Sequence, residues 1–130
     1  MKYIALCFII LALSSCSNNS NITKYNKIIN EADTFKIYKR VNNTLVLKKL
    51  IFQPDYLKSL KGILTRHVNS EYQRKFIPNA TIEIYKGNKL NGTLLIATSK
   101  ENSFVNFSST DFGFGFKLTY GIGMYLDGSD

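Results

Sequence analysis

Residues 34–52, TFKIYKRVNNTLVLKKLIF, constrain the fold more than any other stretch of this chain. From Thr34 to Val41 the side chains alternate. Phe35, Ile37 and Val41 share one face, and Lys36, Tyr38 and Arg40 share the other. A period of two is the signature of a half-buried strand. Asn42-Asn43 follows, and asparagine tolerates the left-handed backbone that a tight hairpin turn requires. Residues 44–52 form the return strand, with an alternation that breaks at Lys48-Lys49, where a bulge or a sheet edge fits. The stretch is a β-hairpin, and the fold must contain an antiparallel sheet.

The neighbouring segments extend that sheet and cover it. Tyr25, Ile28, Ile29 and Ala32 fall at helical spacing and predict a short helix, with Thr23 as its N-cap. Pro54 suits a first helical turn. After it Leu57, Leu60, Leu64 and Val68 line one face, beside Tyr56 and Ile63, while Lys58, Lys61, Thr65 and Arg66 point away. This predicts an amphipathic helix over 54–68. Residues 69–79, NSEYQRKFIPN, form the longest loop, a place where binding often resides. Three more strands are expected at 80–86, 93–98 and 103–107, with turns at Gly87-Asn88 and Asn91-Gly92.

The stretch DFGFGFKLTYGIGMYLD closes the pattern. Large apolar residues occupy the even positions from Phe112 to Leu126, and glycines fill odd positions 113, 115, 121 and 123. The period favours a strand with a break near Thr119, and its bare glycine face admits another backbone, a helix or a partner. A short helix from Thr119 competes, since Leu118, Ile122, Tyr125 and Leu126 also share a helical face. The expected class is therefore α+β. An antiparallel sheet of about five or six strands carries an amphipathic helix on one face and a short N-terminal helix.

The first sixteen residues read differently. Met1-Lys2 is a short basic start, and an apolar run of eleven residues follows from Tyr3 to Leu13. A helix needs about 20 apolar residues to span a bilayer core, so the run matches a secretory signal and not a membrane span. Leu13-Ser14-Ser15-Cys16 resembles the lipobox of bacterial lipoproteins. The resemblance covers about sixteen of 130 residues and says nothing of the downstream fold. It implies cleavage before Cys16, a diacylglyceryl thioether on its sulfur and an acylated N-terminus. It also implies outer-membrane placement facing the periplasm, because Ser17 and not Asp follows the cysteine. The domain plan is then 1–15 signal peptide, 16–22 lipidated Cys16 and polar tether, and 23–130 one globular domain.

Composition bears on that plan. Without Cys7 and with Cys16 lipidated, the remaining 115 residues hold neither free thiol nor disulfide, and the domain relies on its hydrophobic core. Without Lys2, 16 basic residues face 9 acidic ones, a net of +7. Residues 36–86 carry 11 basic and 3 acidic residues, and residues 87–130 carry 3 and 4. That polarity suits either a solvated surface or an anionic partner.

Catalytic motifs are lacking. His67 is the only histidine and sits where a cation suits a helix C-terminus. No nucleophile elbow, zinc-binding helix motif or phosphate loop occurs, and no metal or other cofactor is expected. Asn42, Asn79 and Asn91 head N-x-T triplets that read as turn residues. Basic and aromatic residues interleave, and Tyr38, Arg40, Lys48, Lys58, Tyr72, Arg74 and Lys75 form the candidate binding surface. The expectation is a non-catalytic, membrane-anchored envelope protein that binds a protein or an anionic envelope component, not nucleic acid. The alternative is an immunity or inhibitor lipoprotein that neutralises a toxin or hydrolase in the periplasm.

Overall fold

The computed structural model describes residues 20–66, 68–98, 103–118, 122 and 126. The lipobox, His67 and most of 119–130 lie outside that set. Helix α1 covers residues 20–31. It leads into β1 (Thr34–Val41) and β2 (Thr44–Ile51), then α2 (Pro54–Thr65). Strands β3 (Ala80–Lys86), β4 (Lys89–Thr98), β5 (Ser103–Ser108) and β6 (Gly113–Leu118) complete the order. All six strands are antiparallel to their neighbours, arranged β2-β1-β3-β4-β5-β6 across the sheet. The fold is α+β. One crossover, through α2 and the 66–79 segment, carries the chain from the β2 edge to the inner side of β1.

Local chemistry accounts for the connections. Asn42 and Asn43 have φ of 52° and 65°, the left-handed pair that closes the β1–β2 hairpin. Gly87 takes φ 62° in the β3–β4 turn, where its N–H donates to Asp33 Oδ2 at 2.6 Å. That bond holds the Asp33 carboxyl below the usual carboxylate range. The register slips between Ile37 and Tyr38, and Lys48 is the extra residue on β2, so the broken alternation is a bulge on an edge strand.

Both helices lie on one face of the sheet. Phe35, Ile37, Ile82, Ile84, Leu94, Ile96, Val105, Phe107 and Phe116 fill that face beneath Tyr25, Ile29, Leu60 and Leu64. Tyr25 is the hinge of this layer. Its ring meets Phe107 and Phe114 edge-on, at 4.9 and 5.3 Å between centroids. Its hydroxyl donates to Leu64 O at 2.7 Å, tying α1 to the last turn of α2. Burial satisfied by a single hydrogen bond pushes the phenol's pKa far up.

Several boundaries differ from the sequence expectation, each for a packing reason. Residues 20–22, expected as tether, are already helical, so Thr23 is not the N-cap. Polar Ser and Asn are at home near a helix start, and the buried Tyr25 and Ile29 hold the turn in place. Helix α2 stops at Thr65, since Arg66 is extended (ψ 122°), and Val68 reaches the core from outside the helix. Asn91-Gly92 is no turn but lies inside β4. A Cβ on Gly92 would stand 2.6 Å from the Phe107 ring, so the glycine makes room for an aromatic. Val41, expected on the core face, is exposed, since it is the last residue of β1 and abuts the Asn42-Asn43 turn. Beyond β6, Leu126 is helical and its N–H donates to Ile122 O at 3.2 Å, both residues being buried. At these two positions the helical spacing won over the strand period. The rest of the stretch lies outside the described residues.

Candidate interaction surface

The face turned away from the helices carries Tyr38, Arg40 and, through its stack on Phe104, Arg74, but it does not gather the residues singled out from sequence into one patch. Register places Lys36, Tyr38 and Arg40 of β1 opposite Leu50, Leu47 and Leu45 of β2. In an antiparallel pair opposed residues share a face. Leu45, Leu47 and Leu50 thus stand in a column at the sheet's edge, each about half exposed at 48, 50 and 48%. Phe52, the next residue after the strand, is 58% exposed. Among the described residues no strand pairs with the outer side of β2.

The polar side chains inboard of this column satisfy one another. Tyr85 donates to Glu83 Oε1 at 3.1 Å. Partial burial, and then this bond, raise its pKa. Tyr38 also bonds Glu83, and that bond is the main reason its phenol is raised. Lys36 Nζ lies 4.6 Å above the Tyr85 ring, within cation–π range. Arg40 Nε donates to Pro78 O at 3.0 Å, so this cation pins the end of the 69–79 loop.

The loop itself closes the opposite edge. Glu71 and Gly115 exchange both backbone hydrogen bonds, at 2.7 and 2.8 Å, adding a bridge outside β6. The Asn106 side chain donates to Arg74 O at 2.7 Å and accepts from Arg74 N at 3.1 Å. Gln73 Nε2 donates to Phe107 O at 3.1 Å. A Cβ on Gly115 would stand 2.6 Å from Tyr72 O. The bare glycine face of β6 is thus filled by the chain's own loop. Arg74 stacks its guanidinium 4.4 Å over Phe104 and pairs with Glu71 at 3.2 Å.

The seven candidate residues therefore divide. Tyr38, Arg40 and Lys48 belong to the β1–β2 end. Tyr72, Arg74 and Lys75 belong to the loop over β5–β6. Lys58 sits exposed on α2, in the layer on the other side of the sheet, and joins neither group. Arg40 pins the end of the loop and the Arg74 guanidinium is engaged by Glu71 and Phe104, which basic composition does not reveal. The sequence reading missed Leu45, Leu47, Leu50 and Phe52. Their signal was present: TLVLKKLIF is apolar on both faces, a pattern normal for a covered strand and costly on an open edge. Among the described residues no three His, Cys, Asp or Glu side chains gather where they could hold a metal. Comparison with protein-family models, curated proteins and solved structures returned no match to this chain.

Proposed function

We propose that this chain is a lipid-anchored, non-catalytic protein of the bacterial cell envelope whose domain binds another envelope protein along β2. The lipobox residues Leu13-Ser14-Ser15-Cys16 support the anchor. The observation that carries the binding reading is the column of half-exposed leucines on an edge strand whose outer side is open among the described residues. Partners recognise such edges by adding a strand, with main-chain bonds giving affinity and alternate side chains giving selectivity. The Lys48 bulge interrupts the edge, a device that limits indiscriminate pairing and favours a partner shaped to accommodate it.

The test compares variants in the host. Full-length wild-type, Leu47→Asp and Lys58→Glu chains are crosslinked in intact cells and recovered at low and high salt. One protein should be captured by wild type at both salt levels, retained by Lys58→Glu and lost with Leu47→Asp. Capture unchanged by Leu47→Asp would refute the β2 site. Capture of lipopolysaccharide or wall fragments alone, lost in high salt, would mean that the basic surface acts by charge.

A further inference from the structure

A lipid on Cys16, as proposed above for this chain, also dictates how the domain stands on its membrane, and the docking inferred here rests on that anchor. Ser20, the first described residue of α1, is four residues beyond Cys16. Even fully extended, four residues reach no more than about 14 Å. The start of α1 is therefore held close to the headgroups. That end of α1 lies at the β6 side of the molecule: Asn21 lines one shallow hollow together with Ser70, Tyr72 and Gln73 of the loop and Gly113 of β6. The β2 edge is five strand spacings away, about 24 Å.

What the loop presents at this place is specific. Tyr72 is 96% exposed, yet its neighbours are fixed. Glu71 is bridged to Gly115 on one side, and Arg74 is held by Asn106 on the other. The ring is thus held out in solvent by a braced backbone and not left there by a loose one. Lys75 is three residues on, while the Arg74 guanidinium between them is engaged by Glu71 at 3.2 Å and by the Phe104 ring. Tyrosine, with an apolar ring and a wet hydroxyl, partitions into the headgroup layer of bilayers. A lysine beside it meets lipid phosphates with charge-assisted hydrogen bonds. Burying a nearly bare tyrosine ring offsets part of the cost of ordering the domain on the surface.

We propose that Tyr72 and Lys75 dock on the anionic headgroup layer of the bilayer that holds Cys16, turning the β2 edge away from the membrane. The anchor then does more than localise the domain, because the loop orients it and leaves β2 accessible to a partner. The loop's bracing by Asn106 and Gly115 is what makes the orientation definite.

The test uses the full chain, matured in its host and reconstituted into phosphatidylethanolamine–phosphatidylglycerol vesicles. With Cys7 cleaved and Cys16 acylated, a cysteine introduced by Ser70→Cys or by Leu47→Cys is the single thiol for a fluorophore. Headgroup-located spin-labelled lipid should quench the Ser70→Cys label several-fold more than the Leu47→Cys label. Adding Tyr72→Ser and Lys75→Glu to the Ser70→Cys chain should remove most of that difference. Equal quenching at both sites, in chains that mass spectrometry shows to be lipidated, would overturn the docking and leave the anchor standing. A chain whose Cys16 carries no lipid would overturn both.

Discussion

The two edges of this sheet are treated in opposite ways. At β6 the chain supplies its own cover: Glu71 pairs with Gly115, Gln73 bonds Phe107 O, and Asn106 clasps the main chain of Arg74. At β2 the described chain leaves half-exposed leucines along the rim. Edge strands are a liability that folded proteins usually blunt with charge, bulges or cover. Here cover is used at one end. At the other end only the Lys48 bulge and its lysines are used, and the apolar column remains. On the reading proposed above, the rim left open among the described residues is where a partner adds.

Three substitutions test that contrast. The largest effect is expected from Gly115→Val. Its side chain would collide with the Tyr72 carbonyl, a backbone atom with little room to give. Overpacking of this kind costs about 1–3 kcal/mol. The denaturation midpoint should fall, and proteolysis within 69–79 should accelerate. A wild-type midpoint would mean that the loop does not seal β6.

Asn106→Ala comes next. It removes both side-chain bonds to Arg74 while leaving the glycine contact intact, and roughly 1 kcal/mol should be lost. Hydrogen exchange at the Glu71 and Gly115 amides should rise together, because the two share one bridge. Exchange rising at only one of them would show that the clasp and the bridge are separate.

Leu45→Lys should do least to the fold. A change at a half-exposed rim position is worth within about 0.5 kcal/mol. Equilibrium unfolding should be nearly unchanged while partner capture weakens, which separates a leucine kept for binding from one kept for stability. A loss as large as that of Gly115→Val would place Leu45 in the structural core instead.

Much of this architecture is legible in the residues, and the failures share a cause. The β1–β2 hairpin, its Asn-Asn turn and the irregularity at Lys48-Lys49 follow from local periodicity and turn chemistry, which neighbours along the chain decide. Helix α2 is likewise visible in the spacing of Leu57, Leu60 and Leu64. Asn91-Gly92 has the chemistry of a turn, yet Gly92 is a strand residue because the Phe107 ring, contributed by β5, needs its space. The glycines of β6 announce a close approach without naming what approaches. Arg40 and Arg74 read as binding charge, yet Arg40 pins the end of the loop and the Arg74 guanidinium is engaged by Glu71 and Phe104. In each case the deciding partner is remote in the chain.

The periods of the strands and helices, the hairpin turn and the resemblance of the first sixteen residues to a lipoprotein signal lie in the order of the residues alone. These depend on side-chain order and backbone preference over a few residues. Which of the described strands stand at the rim, which rim the 69–79 loop covers and where the two groups of candidate residues lie follow from packing between distant segments. Strand order depends on the α2 crossover, which inserts β3 beside β1 and leaves β2 outermost, and no local pattern encodes that choice.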